Sequence, residues 1–171
     1  MLKKTAALSL LALAAGGAYA VDGTVTVTGT VTGVTCLISA PAVTLPTVST
    51  TALASNGAVA GLTSWTVTTS GCTGTGATAT NAYIEPGSTI NTSGRITKTS
   101  GTATNVEVQM LTSGMVVMDL SKTYGSQYAG QTTNTVALNS GQTFYLRYYA
   151  TPSGAGAGTF TSSFTYTLVY S

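Results

Sequence analysis

The chain has 171 residues with 6 Lys or Arg, 4 Asp or Glu and no His, so only 6% of it is charged. That excludes the basic stripe a nucleic-acid partner needs, and it leaves neither a His and carboxylate cluster for a metal nor two facing acids for glycoside cleavage. No enzyme activity, cofactor or nucleic-acid partner is expected.

Residues 1–20 have the pattern of an export signal. Lys3 and Lys4 precede an apolar run from Ala6 to Ala15, and Ala18-Tyr19-Ala20 fits a small-residue cleavage site. About ten apolar residues are too few to cross a bilayer as a helix, so cleavage before Val21 is expected. In the remaining chain Arg95, Lys98, Lys122 and Arg147 balance Asp22, Glu85, Glu107 and Asp119. A neutral surface made polar by Thr, Ser and Asn has little charge with which to resist association.

Next stands GTVTVTGTVTGVTC, residues 23–36, alternating cleanly. Val25, Val27 and Val31 share one face with Gly23 and Gly29, and Thr residues fill the other. No tight-turn dipeptide interrupts the run, so it is expected to project from residues 34–171 as an arm, residues 21–33, rather than to fold back. Gly29 sits mid-strand, where a glycine marks either a bend or a close backbone approach. In an exported chain Cys36 and Cys72 are expected to form a disulfide.

No segment has the period of an amphipathic helix of useful length, while Thr, Val and Tyr recur in short alternating runs. Strands are predicted at 23–32, 34–39, 64–70, 82–85, 105–111, 115–119, 135–138, 143–151 and 158–171. The class is therefore all-β, a sandwich or barrel in one domain. Residues 52–61, 71–80 and 152–158 read as loops. GAGAG at 154–158 is followed by a strand rather than a helix and so is no phosphate loop, and KTSG at 98–101 reads as a turn. Asn91-Thr92-Ser93 is a sequon by pattern.

The last segment, GTFTSSFTYTLVYS, places Phe160, Phe164, Tyr166, Leu168 and Tyr170 on one face. No later segment of this sequence can pair with its far edge. An apolar arm at one end and an unpartnered edge at the other have a common solution in which the arm of one molecule completes the sheet of the next. Donor and acceptor surfaces differ, so the contact is heterologous and generates a filament.

The chain resembles the fimbrial subunits of the chaperone–usher pathway, of the type 1 and P pilus kind. The resemblance rests on the glycine-bearing arm, the Cys after it, SWTVTTSGC, TFYLRYYATP, Gly158 near the end and the penultimate Tyr170. It implies an incomplete immunoglobulin-like β-sandwich lacking its last strand, completed by donor-strand exchange. A periplasmic chaperone would first fill the groove and hold the C-terminal carboxylate, and an outer-membrane usher would exchange it for the arm of a neighbouring subunit. Gly23, Val25, Val27, Gly29 and Val31 would be the donor strand. Gly158, Phe160, Phe164, Tyr166, Leu168 and Tyr170 would line the acceptor groove and dock the chaperone. Val27 stands where some relatives carry Phe. The implied role is a structural subunit of a Gram-negative surface fimbria. The alternatives are a minor adaptor pilin or a single-domain carbohydrate-binding adhesin subunit, whose Trp65, Tyr83, Tyr124, Tyr128, Tyr145, Tyr148 and Tyr149 would stack on sugars.

Overall fold

The computed structural model describes residues 26–29, 33–128 and 135–171. The export signal, Gly23, Val25 and Val31 lie outside these residues.

Seven strands run in chain order: β1 (Val34–Ser39), β2 (Val59–Gly74), β3 (Ala79–Ile84), β4 (Val106–Thr112), β5 (Val136–Ala137), β6 (Gly141–Ala150) and β7 (Tyr166–Tyr170). A short 3-10 helix, Thr50–Leu53, is capped by Ser49, whose side chain accepts the Thr51 N–H. The strands form two antiparallel sheets, ordered β1-β2-β6-β4 and β5-β3-β7. The first has the A-B-E-D order of immunoglobulin-like sandwiches. The second holds the C and F strands as β3 and β7, and no described strand occupies the place of a G strand beside β7.

Alternation decides what meets between the sheets. Trp65 and Val67 of β2 and Phe144 and Leu146 of β6 point inward with Val108 and Met110 of β4, against Ala82 and Ile84 of β3. Met118, Leu120 and Tyr128 close the core from the connection after β4. The Trp65 and Phe144 rings lie 5.7 Å apart. A Leu, Ile or Phe buried here contributes roughly 1.5–3 kcal/mol. The Cys36–Cys72 disulfide ties β1 to β2 at a register shift between Thr35 and Leu37, where β2 carries the extra residue, Gly71 and Cys72 lying opposite Cys36 alone.

Several boundaries differ from those expected. β2 begins well before 64, because a bulge between Ala60 and Thr63 interrupts the alternation. Gly61 permits it with φ +73°, where an added Cβ would lie 3.1 Å from the Tyr148 ring. In the expected loop 52–61, Leu53 is buried and Val59 already belongs to β2. β2 also extends through Gly74, and β3 starts at Ala79, three residues early, on the buried polar pair Thr80 and Asn81.

Residues 115–119 form no strand. The chain turns at Thr112, where the Met115 N–H returns to the Thr112 carbonyl, and pairs only through the bridges Leu111↔Val117 and Met118↔Tyr128. The strand expected at 158–171 is confined to Tyr166–Tyr170. Residues 158–165 are held by the loop 99–104 through a bridge between Ser100 and Thr161. Alternation there reports which side is apolar, and an apolar face does not require a ladder.

Candidate functional site

The C-terminal strand has one paired edge. Ala79 and Ser171 exchange both main-chain hydrogen bonds, at 2.9 and 3.0 Å, and the Glu85 N–H reaches the Thr165 carbonyl at 2.9 Å. In the register Thr80↔Tyr170 through Ile84↔Tyr166, the alternation of an antiparallel ladder then turns the main-chain groups of Tyr166, Leu168 and Tyr170 away from β3. Among the described residues no strand lies on that side.

An apolar cleft runs beside this segment. Val43, Thr44 and Leu45 form one wall, Phe160, Thr161, Ser162 and Phe164 the other, and Ile96, Val108, Leu146 and Tyr148 the floor, enclosing about 300 Å³. A second hollow of about 500 Å³ continues past Leu45, Tyr148 and Phe160 to Val48, Ala103, Val106 and residues 155–159. The two share Leu45, Tyr148, Phe160 and Thr161, so they form one trough.

Trp65 supports this trough from the core. Its indole ring meets Phe164 edge-on at 5.1 Å and Tyr166 at 5.8 Å. Its Nε1–H donates to the Pro41 carbonyl at 2.8 Å, which anchors the opposite wall. Phe160 stacks edge-on to Tyr148 at 6.2 Å. At Gly158 an added Cβ would lie 2.3 Å from the Ala103 nitrogen, so only glycine lets this wall close against residues 102–103.

Of the sequence-derived groove residues, Gly158, Phe160 and Phe164 line the trough. Tyr166 and Leu168 pack on the core beside it, and Tyr170 is half-buried at the far end of β7, opposite Thr80. Sequence reasoning missed the facing wall. Val43 and Leu45 alternate, but Pro41 and Pro46 flank them and residues 40–49 form no strand, so the strand criterion passed them over. It also missed the floor residues Ile96 and Tyr148.

Within the arm, Thr26–Gly29 are exposed and form no strand. Val27 is 89% exposed, and among the described residues a Cβ at Gly29 would meet nothing within 4 Å. Among the described residues no three His, Cys, Asp or Glu side chains gather as metal ligands.

The described residues form an immunoglobulin-like sandwich with one open sheet edge and an apolar trough nearby. Comparison with known proteins gives the family. The model of the FimA family, type-1 fimbrial protein, A, matches residues 45–171, and the chain belongs to this family. It is 40% identical to the major fimbrial subunit SMF-1 of Stenotrophomonas maltophilia over 173 residues, covering 94% of this chain and 99% of that one. It is 38% identical to the F17 fimbrial protein of Escherichia coli over 177 residues, covering 95% and 96%. Over 86 residues, 46% of this chain and 42% of the other, it is 40% identical to the serotype 2 fimbrial subunit of Bordetella pertussis.

Proposed function

We propose that this chain is a structural pilin that polymerises into a cell-surface fimbria by donor-strand exchange. Residues 1–20 direct export through the periplasm, residues 21–33 are the donor arm and residues 34–171 the acceptor domain. The observation that carries this reading is the unpaired side of β7, among the described residues, following directly in the chain on the trough wall of Phe160 and Phe164. A strand laid there satisfies the main-chain groups of Tyr166, Leu168 and Tyr170 and covers Phe160 and Phe164.

The occupant is the arm of a neighbouring subunit, presenting Gly23, Val25, Val27, Gly29 and Val31. Three buried Val side chains contribute roughly 5–9 kcal/mol as an upper bound. Before assembly a periplasmic chaperone strand holds the place, with Tyr170 and Gly158 at the two ends of its contact, and the outer-membrane usher exchanges it for the arm. The family membership and the almost full-length similarity to fimbrial subunits support this sequence of partners.

Gly29→Leu tests the register. The variant domain is expected to fold with unchanged thermal stability, because a Cβ at Gly29 meets none of the described residues within 4 Å, while fibre formation is blocked or slowed. Normal fibre yield contradicts the assignment of Gly29 to a tight site in the neighbour.

A further inference from the structure

Among the described residues, the sheet β5-β3-β7 has a second edge without a strand, along β3 beyond β5. As described, β5 pairs only Ala79 and Thr80. Odd-numbered residues of β3 turn their main-chain groups to β7, so Ala82 and Ile84 turn theirs to the opposite side. Those groups are met by side chains. Gln142, from the facing sheet, accepts the Ala82 N–H on Oε1 at 2.6 Å. The Gln127 Nε2–H donates to the Ile84 carbonyl at 2.6 Å.

Both amides are locked from behind. Gln142 Nε2 donates to Asn81 Oδ1 at 2.9 Å, which also accepts the Tyr128 hydroxyl at 3.0 Å. Gln127 Nε2 also donates to the carbonyls of Leu120 and Lys122, at 3.3 and 3.1 Å. Gln127 and Gln142 are 1% and 3% exposed. The connection carrying Gln127 and Tyr128 is further pinned over β3 by the Tyr83 and Tyr124 rings, 5.7 Å apart.

We propose that Gln127 and Gln142 cap the β3 edge against strand addition, so that an incoming strand has β7 as its one acceptor and the fibre grows without branching. The two edges of one sheet are treated oppositely. At β3 the N–H of Ala82 and the carbonyl of Ile84 are occupied by buried amides of this chain, while β7 leaves its outward groups to a partner. Such amides mimic a strand's hydrogen bonds without offering an extensible ladder. Two buried polar atoms, Asn81 Nδ2 and Gln127 Oε1, are left without a partner in this cluster. An apolar filling would avoid that cost, which argues that the cluster is retained for specificity.

The inference rests on the strand-accepting reading of β7, and amide hydrogen exchange separates the two. The mature full-length chain is measured as monomer at low concentration, with and without a synthetic peptide of residues 21–33. Expected is an Ala82 N–H slowed about 100-fold or more from the start and unchanged by peptide. The Leu168 N–H should exchange fast alone and become protected when peptide binds. Fast exchange at Ala82, or protection gained there only with peptide, overturns the cap while strand addition at β7 stands. A Leu168 amide that peptide never protects overturns the β7 reading, and the cap with it.

Gln142→Met and Gln127→Leu keep side-chain bulk and remove the amide. Gln142→Met should accelerate exchange at Ala82, and the double variant should bind a second equivalent of peptide. A folded double variant that still binds one equivalent, or an unchanged Ala82 rate in Gln142→Met, contradicts the proposal. The wild-type exchange pattern decides the matter if either variant fails to fold.

Discussion

Tyr128 keeps its hydroxyl inside the sandwich, 4% exposed, where it donates to Asn81. Burial pushes its pKa up from 10.0 to about 12. The folded state therefore holds this proton more tightly than the unfolded chain. The contribution is fully present below pH 10 and is lost as pH rises through about 12. Tyr128→Phe is expected to flatten the alkaline limb of the stability curve over that window, read by denaturant titrations at a series of pH values. An identical alkaline limb in both proteins contradicts the assignment. The variant also leaves Asn81 with one partner fewer, so a loss of about 1 kcal/mol at neutral pH is expected alongside.

Among the elements, β2 does two jobs. Its centre supplies Trp65 to the core, and the same ring touches Phe164 and Tyr166 while its N–H holds Pro41. Trp65→Phe keeps an aromatic in the core and removes the hydrogen bond to the wall. It is expected to cost about 0.5–1.5 kcal/mol for that bond and more for lost volume. It should also weaken binding of a peptide of residues 21–33 beyond what the stability loss alone explains, as read by titration calorimetry. Unchanged peptide affinity in a folded variant would show that the 40–45 wall does not depend on Trp65. The C-terminal end of β2 is fastened to β1 by the disulfide across 36 residues of sequence. Double substitution of Cys36 and Cys72 by Ser is expected to cost about 2–5 kcal/mol in chemical unfolding, and equal midpoints for the two proteins would contradict a stabilising bridge.

Elements with a period-two pattern and a buried face were legible from the residues. Val34–Ser39 was placed residue for residue, and Trp65, Val67, Phe144 and Leu146 point inward as their alternation requires. Other elements were obscured for particular reasons. The bulge at Ala60–Thr63 shifted the phase of β2. Residues 115–119 had the composition of a strand, but the hairpin at Thr112 gave them too few bonds to remain one. Half of the trough was visible as the apolar face of the last segment. Its facing wall was not, since residues 40–49 are shaped by two prolines and by a hydrogen bond from an indole 24 residues away. The capping amides were invisible as well, because a Gln in a strand pattern reads as solvent-facing until the opposite sheet is in place.

For the whole molecule, the sandwich combines an ordinary closed core with one side of one sheet left open. Its own chain meets the Ala82 N–H and the Ile84 carbonyl with buried side chains and leaves the main-chain groups of Tyr166, Leu168 and Tyr170 facing the open side. The low charge of the surface removes a barrier to association that a strongly charged chain would carry. In the proposed assembly the strand of a neighbour's apolar arm would cover both the trough and the edge. The most direct measurement joins residues 21–33 after Ser171 through a flexible Gly/Ser linker and compares thermal unfolding and sedimentation with the parent chain. A monomer that melts at a markedly higher temperature and no longer forms fibres is the expected result. A melting temperature equal to the parent's, with polymerisation intact, would contradict the claim that the sheet accepts a strand beside β7.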